Sequence, residues 1–245
     1  MKKLVVANWK MNPATKEEAR ELAGKIELAI TAVRRGEVDT VICPPHPFLG
    51  VLQHLLHFTH LGAQNIAEEL KGPFTGEVSA LQVRSFGGEY AIIGHSERRA
   101  LGEGDETISN KVATAVRSGL HPIICVGAGT KRGQSEAAVA KVVAKQLRAA
   151  LRSAGKAQVT VAYEPVWAIS RGFGTGKAVT ASHAAKIIGQ LRRFAPWARF
   201  IYGGSVDGKN APAFAKETLI QGALVGGASL DAGEFLRVIK AFSKD

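Results

Sequence analysis

The chain has 245 residues, an apolar share of 46% and a net charge of +11 from 32 basic and 21 acidic residues. This is the length of one α/β barrel domain with ample material for a large core. No stretch nears the ~20 apolar residues of a membrane span, the apolar run after Lys3 is too brief for a secretory leader, and the basic residues are scattered over several helices without interleaved aromatics.

A membrane or nucleic acid is therefore not expected as a partner. The positive charge reads as solubility plus a modest field favouring an anionic substrate. The two cysteines, Cys43 and Cys125, end separate strand-like runs and read as reduced, buried thiols of a cytoplasmic protein.

Along the chain, strands are expected at 3–8, 38–43, 59–64, 89–94, 121–126, 158–163, 199–203 and 222–226. A helix from Lys16 to Arg35 follows Thr15, a capping residue type. Asp105 to Ser118 carries Ile108, Val112, Ala115 and Val116 at helical spacing, and Gln134 to Ser153 carries Val139, Val142, Val143, Leu147 and Leu151 on one face. Two more helices, 181–195 and 232–242, follow Thr180 and Asp231. Eight strand-then-helix units without a linker imply one α/β domain over 1–245, a closed (β/α)8 barrel. The competing doubly wound sheet usually has Gly-x-Gly-x-x-Gly after its first strand, where Asn8-Trp9-Lys10-Met11-Asn12 stands here.

In a barrel every carboxyl strand end meets one rim. Glu164 ends the sixth strand, Val159-Thr160-Val161-Ala162-Tyr163, and Pro165 then stops the ladder. Gly174-Thr175-Gly176 follow as a glycine-bearing loop. A carboxylate there suits proton abstraction beside a carbonyl, with an acidic loop residue as the plain alternative. His95 precedes Ser96-Glu97, which can start a short helix whose N-terminus disfavours an imidazolium. Alone, such a residue is more often a structural histidine; its place beside Glu97 and Arg98, at the same rim as Glu164, favours the functional reading. Lys10 and Asn8 end the first strand, where a cation and an amide can offset charge on an oxyanion; a solvated lysine is the alternative. Trp9 and Met11 read as packing. Gly203-Gly204-Ser205 and Gly226-Gly227 follow strands seven and eight, where barrels often bind phosphate through backbone N–H groups, although tight turns use the same residues. His95 has no His or Cys partner at ligand spacing, so no metal is expected.

Five segments carry a specific resemblance: Asn8-Trp9-Lys10-Met11-Asn12, Gly94-His95-Ser96-Glu97-Arg98, Glu164-Pro165-Val166-Trp167, Tyr202-Gly203-Gly204-Ser205-Val206 and Val225-Gly226-Gly227-Ala228-Ser229. In content, order and spacing, from Lys3 to about Ile239, the chain resembles the triosephosphate isomerase family. The resemblance implies a TIM barrel that interconverts dihydroxyacetone phosphate and glyceraldehyde 3-phosphate without cofactor or metal. It implies Glu164, His95, Lys10, Asn8 and Glu97 as catalytic residues, and Asn8, Lys10, Ser205, Gly226, Gly227 and Gly174 as substrate-binding residues. It also implies a homodimer in which Gly72-Pro73-Phe74-Thr75-Gly76-Glu77 inserts into the partner and brings Thr75 near its active site. Another small phosphosugar isomerase or lyase remains open on the same barrel, as does a non-catalytic scaffold.

Two segments depart from the family pattern. Ser170-Arg171-Gly172-Phe173 lengthen the glycine loop, and Ala128 stands after Cys125-Val126-Gly127 where the family has a glutamate that helps dock the loop's tryptophan. An apolar latch, with Phe173 or Trp167 packing toward Ala128, is the expected replacement.

Overall fold

A computed structural model describes residues 2–33, 37–168 and 179–243. Eight strands form a closed, parallel barrel in sequence order: β1 (Lys3–Asn8), β2 (Val38–Cys43), β3 (His60–Ala63), β4 (Tyr90–Ile93), β5 (His121–Val126), β6 (Thr160–Tyr163), β7 (Arg199–Tyr202) and β8 (Gly222–Val225). β1 closes the ring against β8, with Val5 opposite Ala223 and Ala7 opposite Val225. The barrel expectation therefore holds, with five of the strands one or two residues shorter than expected.

Around the ring run α1 (Lys16–Ile30), α2 (Leu49–Leu52), α3 (Ala80–Ser85), α4 (Ser96–Ala100), α5 (Asp105–Arg117), α6 (Glu136–Leu151), α7 (Ala181–Leu191), α8 (Ala211–Ala215) and α9 (Ala232–Phe242). Thr15 caps α1 in a reciprocal box with Glu18, and Thr180 and Asp231 accept the N–H groups of His183 and Glu234. α1 and α7 end earlier than the expected Arg35 and 195. After Ile30 the chain tightens into three-residue turns, with Thr31 N–H on Leu28 O and Val33 N–H on Ile30 O. After Leu191, Phe194 N–H turns back to Leu191 O, and Pro196 then disfavours helix at Ala195.

Alternation along each strand divides the core in two. Leu4, Val6, Val41, Ile92, Ile123, Ala162, Ile201 and Leu224 fill the barrel together with Cys43 and Cys125. Their neighbours, among them Val5, Ala7, Ile93, Val161 and Phe200, pack outward against the helices. Both cysteines are free and buried, and burial raises both thiol pKa values. One step below the apolar filling, toward the amino ends of the strands, lie Asp39, Tyr90, His121, Thr160 and Arg199. Arg199 approaches Asp39 at 3.7 Å, and His121 Nε2 lies 2.9 Å from Thr160 Oγ1. The barrel thus has a polar floor, an apolar middle and an open rim at the carboxyl ends. Among the described residues no helix is long and apolar enough to cross a membrane.

Candidate active site

Glu164 follows β6 directly, and its N–H continues the ladder to Val126 O at 2.7 Å. Its side chain turns inward and is 1% exposed. Two glycines make room for the residue, one for its backbone and one for its side chain. A Cβ on Gly127 would lie 2.1 Å from the Glu164 carbonyl oxygen, and one on Gly203 would lie 2.7 Å from Glu164 Cγ. One carboxylate oxygen accepts the backbone N–H of Ser96 at 3.2 Å. The other, Oε1, is buried with no hydrogen-bond partner among the described residues and stands 3.6 Å from His95 Nε2.

His95 occupies the cap position of α4, and its Nδ1 accepts the N–H of Glu97 at 3.2 Å. A nitrogen that accepts there carries no proton, so the ring is neutral with its hydrogen on Nε2. The Glu97 carboxylate is 3.7 Å from the same Nδ1, too far for a hydrogen bond. That carboxylate is instead taken by Lys10, whose Nζ lies 2.7 Å from Glu97 Oε1.

Lys10 has φ of 55°, a left-handed conformation that costs a residue with a Cβ. The site holds it there from both sides. Asn8 Oδ1 accepts the Lys10 N–H at 3.1 Å, and Gln64 Nε2 donates to the Lys10 carbonyl at 2.8 Å and to Cys43 O at 2.9 Å. The Lys10 side chain passes over Gly226, where a Cβ would come within 3.4 Å of Lys10 Cε. The ammonium is thereby placed between the histidine and the eighth-strand glycines. Gln64 went unrecognised in the sequence because an amide in a loop has no distinguishing pattern. Trp9 is fully buried as expected, but Met11 is 93% exposed, against the packing role expected of it.

The phosphate candidates divide by role. Gly203 uses its N–H on Tyr163 O and leaves space for Glu164, and Gly204 leaves space for the Tyr202 hydroxyl. Packing alone therefore requires that pair. Ser205 directs both N–H and Oγ–H to the Ala168 carbonyl, at 3.1 and 2.8 Å. Gly227 opens a short turn, Gly227–Leu230, and a Cβ there would meet only open space. Gly174 and Ser170 to Phe173 lie outside the described residues. Trp167 is described: the Arg132 guanidinium lies 5.1 Å from its ring centre and the His183 ring meets it edge-on at 6.5 Å. The expected latch through Phe173 therefore lies outside the described residues, while Trp167 contacts a cation and an imidazole. No group of three or more potential metal ligands occurs among the described residues.

A buried carboxylate, an imidazole, an ion-paired ammonium and open glycine backbone share one rim. The family model of triosephosphate isomerase matches residues 3–242. A triosephosphate isomerase of Alkaliphilus oremlandii is 40% identical over 97% of this chain and 98% of its own length. One from Alcanivorax borkumensis is 41% identical over 97% of both chains, and one from Aquifex aeolicus is 38% identical over 99% and 100%. On this rim geometry and near-complete overlap, the chain belongs to the triosephosphate isomerase family.

Proposed function

We propose that Glu164 and His95 carry the family's reaction, the interconversion of dihydroxyacetone phosphate and D-glyceraldehyde 3-phosphate in glycolysis. Glu164 takes a proton from the carbon beside the substrate carbonyl. The C–H electron pair forms the carbon–carbon double bond, and charge moves onto the carbonyl oxygen. His95 Nε2–H donates to that oxygen and shuttles the proton between the two oxygens of the enediolate. Glu164 then returns its proton to the neighbouring carbon, completing the isomerisation. The Lys10 ammonium offsets charge on the enediolate and on the phosphate, and Asn8 fixes the Lys10 backbone. Glu97 acts on both partners: its N–H sets the His95 tautomer and its carboxylate holds Lys10. The carrying observation is the Nδ1 acceptor bond on His95, which leaves Nε2–H as a neutral donor beside a buried carboxylate. A coupled assay of each triose phosphate tests the reading. Turnover should be measurable in both directions, and its absence would defeat it.

The phosphate is assigned to Ser205, Gly226 and Gly227, with backbone N–H groups as donors and Gly174 as a further contact. The chain is also inferred to act as a homodimer in the cytoplasm. Phe74 is 46% exposed beside Thr75, and Met11 is exposed near the rim. Lys10, Gln64, His95, Glu97 and Arg98 line a cavity of about 240 Å³, together with Gly76 and Glu77 next to Thr75 in sequence. Thr75 of a second copy would fill it, which supports the dimer. Sedimentation at assay concentration tests this, and a fully active monomer would remove it.

A further inference from the structure

The Ala168 carbonyl accepts both hydrogen-bond donors of Ser205, its N–H at 3.1 Å and its hydroxyl at 2.8 Å. Ser205 is also a proposed phosphate ligand. A phosphate oxygen and the Ala168 carbonyl cannot both take the same N–H. The ligand-free arrangement of the turn Val166–Ala168 therefore competes with phosphate, and whatever fixes that turn sets the terms of the competition.

Arg132 and His183 pack against it. Trp167 is the middle residue of the turn, and its ring lies under the Arg132 guanidinium on one side and against the His183 edge on another. The indole Nε1–H is buried with no partner among the described residues, so the ring is held through its face rather than its polar edge. The loop carrying Arg132, Gly127-Ala128-Gly129-Thr130-Lys131-Arg132, contains no carboxylate. It is itself anchored. Gln146 of α6 accepts the Gly127 N–H and donates to the Ala128 carbonyl, both at 2.8 Å. Thr130, buried, donates its hydroxyl to the Gly127 carbonyl at 2.7 Å. A guanidinium on a fastened loop is a fixed platform for the indole.

We propose that Arg132 is a positioning residue that stacks on Trp167, keeps the Ala168 carbonyl over Ser205, and so holds down the affinity of the site for phosphate. The inference rests on the phosphate site proposed above. It acts through three residues, Trp167, Ala168 and Ser205, and touches neither base nor electrophile.

The probe is inorganic phosphate as a competitive inhibitor of the wild-type enzyme, Arg132→Ala, Arg132→Lys and Trp167→Leu, each checked for native circular dichroism. A surface cation–π contact is worth about 0.5–1 kcal/mol, so its removal should tighten phosphate binding about 2- to 5-fold. Arg132→Ala should therefore lower the inhibition constant by that factor. Arg132→Lys, which keeps a cation over the ring, should return it toward wild type. In a Trp167→Leu background, Arg132→Ala should change nothing further. Loosened folding alone would weaken phosphate binding, so the sign separates positioning from damage. An inhibition constant that stays the same or rises in Arg132→Ala overturns the proposal, as does an equal fall without Trp167. A wild-type enzyme that phosphate does not inhibit competitively removes the phosphate site, and this inference with it.

Discussion

The backbone N–H of Ser96 donates to the Glu164 carboxylate at 3.2 Å, so the proposed base rests on the first residue of the helix that begins at His95. The two elements that supply base and electrophile are thereby tied to each other before any substrate arrives. One carboxylate oxygen is engaged and the other is left facing His95. Replacing Glu164 by Gln keeps an oxygen for Ser96 and the same shape, but removes the proton acceptor. The variant should fold with wild-type stability and lose ~10²–10⁴ in kcat. Glu164→Asp should also be slow, by ~10²-fold, because a side chain about one ångström shorter withdraws from both partners. Turnover of the Gln variant at the wild-type rate would refute the assignment of the base.

Two glycine substitutions should separate chemistry from binding. A methyl on Gly203 would press on Glu164 Cγ at 2.7 Å, whereas a side chain on Gly227 would meet no protein atom and enter the open rim. Gly203→Ala should thus lower kcat by ~10–10² through misplacement of the base, with KM nearly unchanged. Gly227→Val should raise KM strongly with a smaller effect on kcat, because it obstructs the phosphate. Steady-state kinetics of the two variants decide the matter. If both moved the same parameter, the division of the rim proposed here would be wrong.

Subunit contact is tested at Thr75. A guanidinium there is bulky for the facing cavity of about 240 Å³, and it would meet the Lys10 ammonium and Arg98 guanidinium and compete for the Glu97 carboxylate that holds Lys10. Like charges at close range are costly when partly desolvated. Thr75→Arg should shift sedimentation toward monomer and lower activity, most strongly in dilute enzyme. A variant as dimeric and active as wild type would place the contact elsewhere.

Much of this was legible in the sequence, for identifiable reasons. The strands announce themselves as apolar runs, and Thr15, Thr180 and Asp231 mark helix starts because their side chains satisfy otherwise unpaired N–H groups. Once eight units imply a barrel, geometry alone gathers Asn8, Lys10, His95 and Glu164. The short helices α2, α3 and α8 were not foreseen, since four to six residues are too few to display a period. The Ser96 N–H contact was invisible because a backbone donor carries no residue signature. Gly203 looked like a phosphate loop because sequence does not say whether a glycine makes room for a ligand or for a neighbouring side chain. Arg132 over Trp167 joins distant loops, and no local pattern reports it.

The polar floor of the barrel should limit acid stability. His121 is largely buried beside Arg199, and burial first, then that guanidinium, lowers its pKa from 6.5 to about 4. Its ring packs 5.1 Å from the Tyr90 ring, with Thr160 Oγ1 at 2.9 Å, and Arg199 lies 3.7 Å from Asp39. The folded chain therefore keeps His121 neutral at a pH where the unfolded chain binds a proton. Between pH 6.5 and 4 the unfolded state holds more protons, so stability falls as pH drops through this window and is unaffected by this group above it. At pH 4.5 the loss from His121 should be about 2 kcal/mol. Urea unfolding at fixed protein concentration, at pH 7.5 and pH 4.5, measures it. His121→Gln cannot titrate and can still reach Thr160, so its stability should drop by about 2 kcal/mol less between the two pH values. An equal drop in both proteins would show that His121 does not carry the acid sensitivity of the floor.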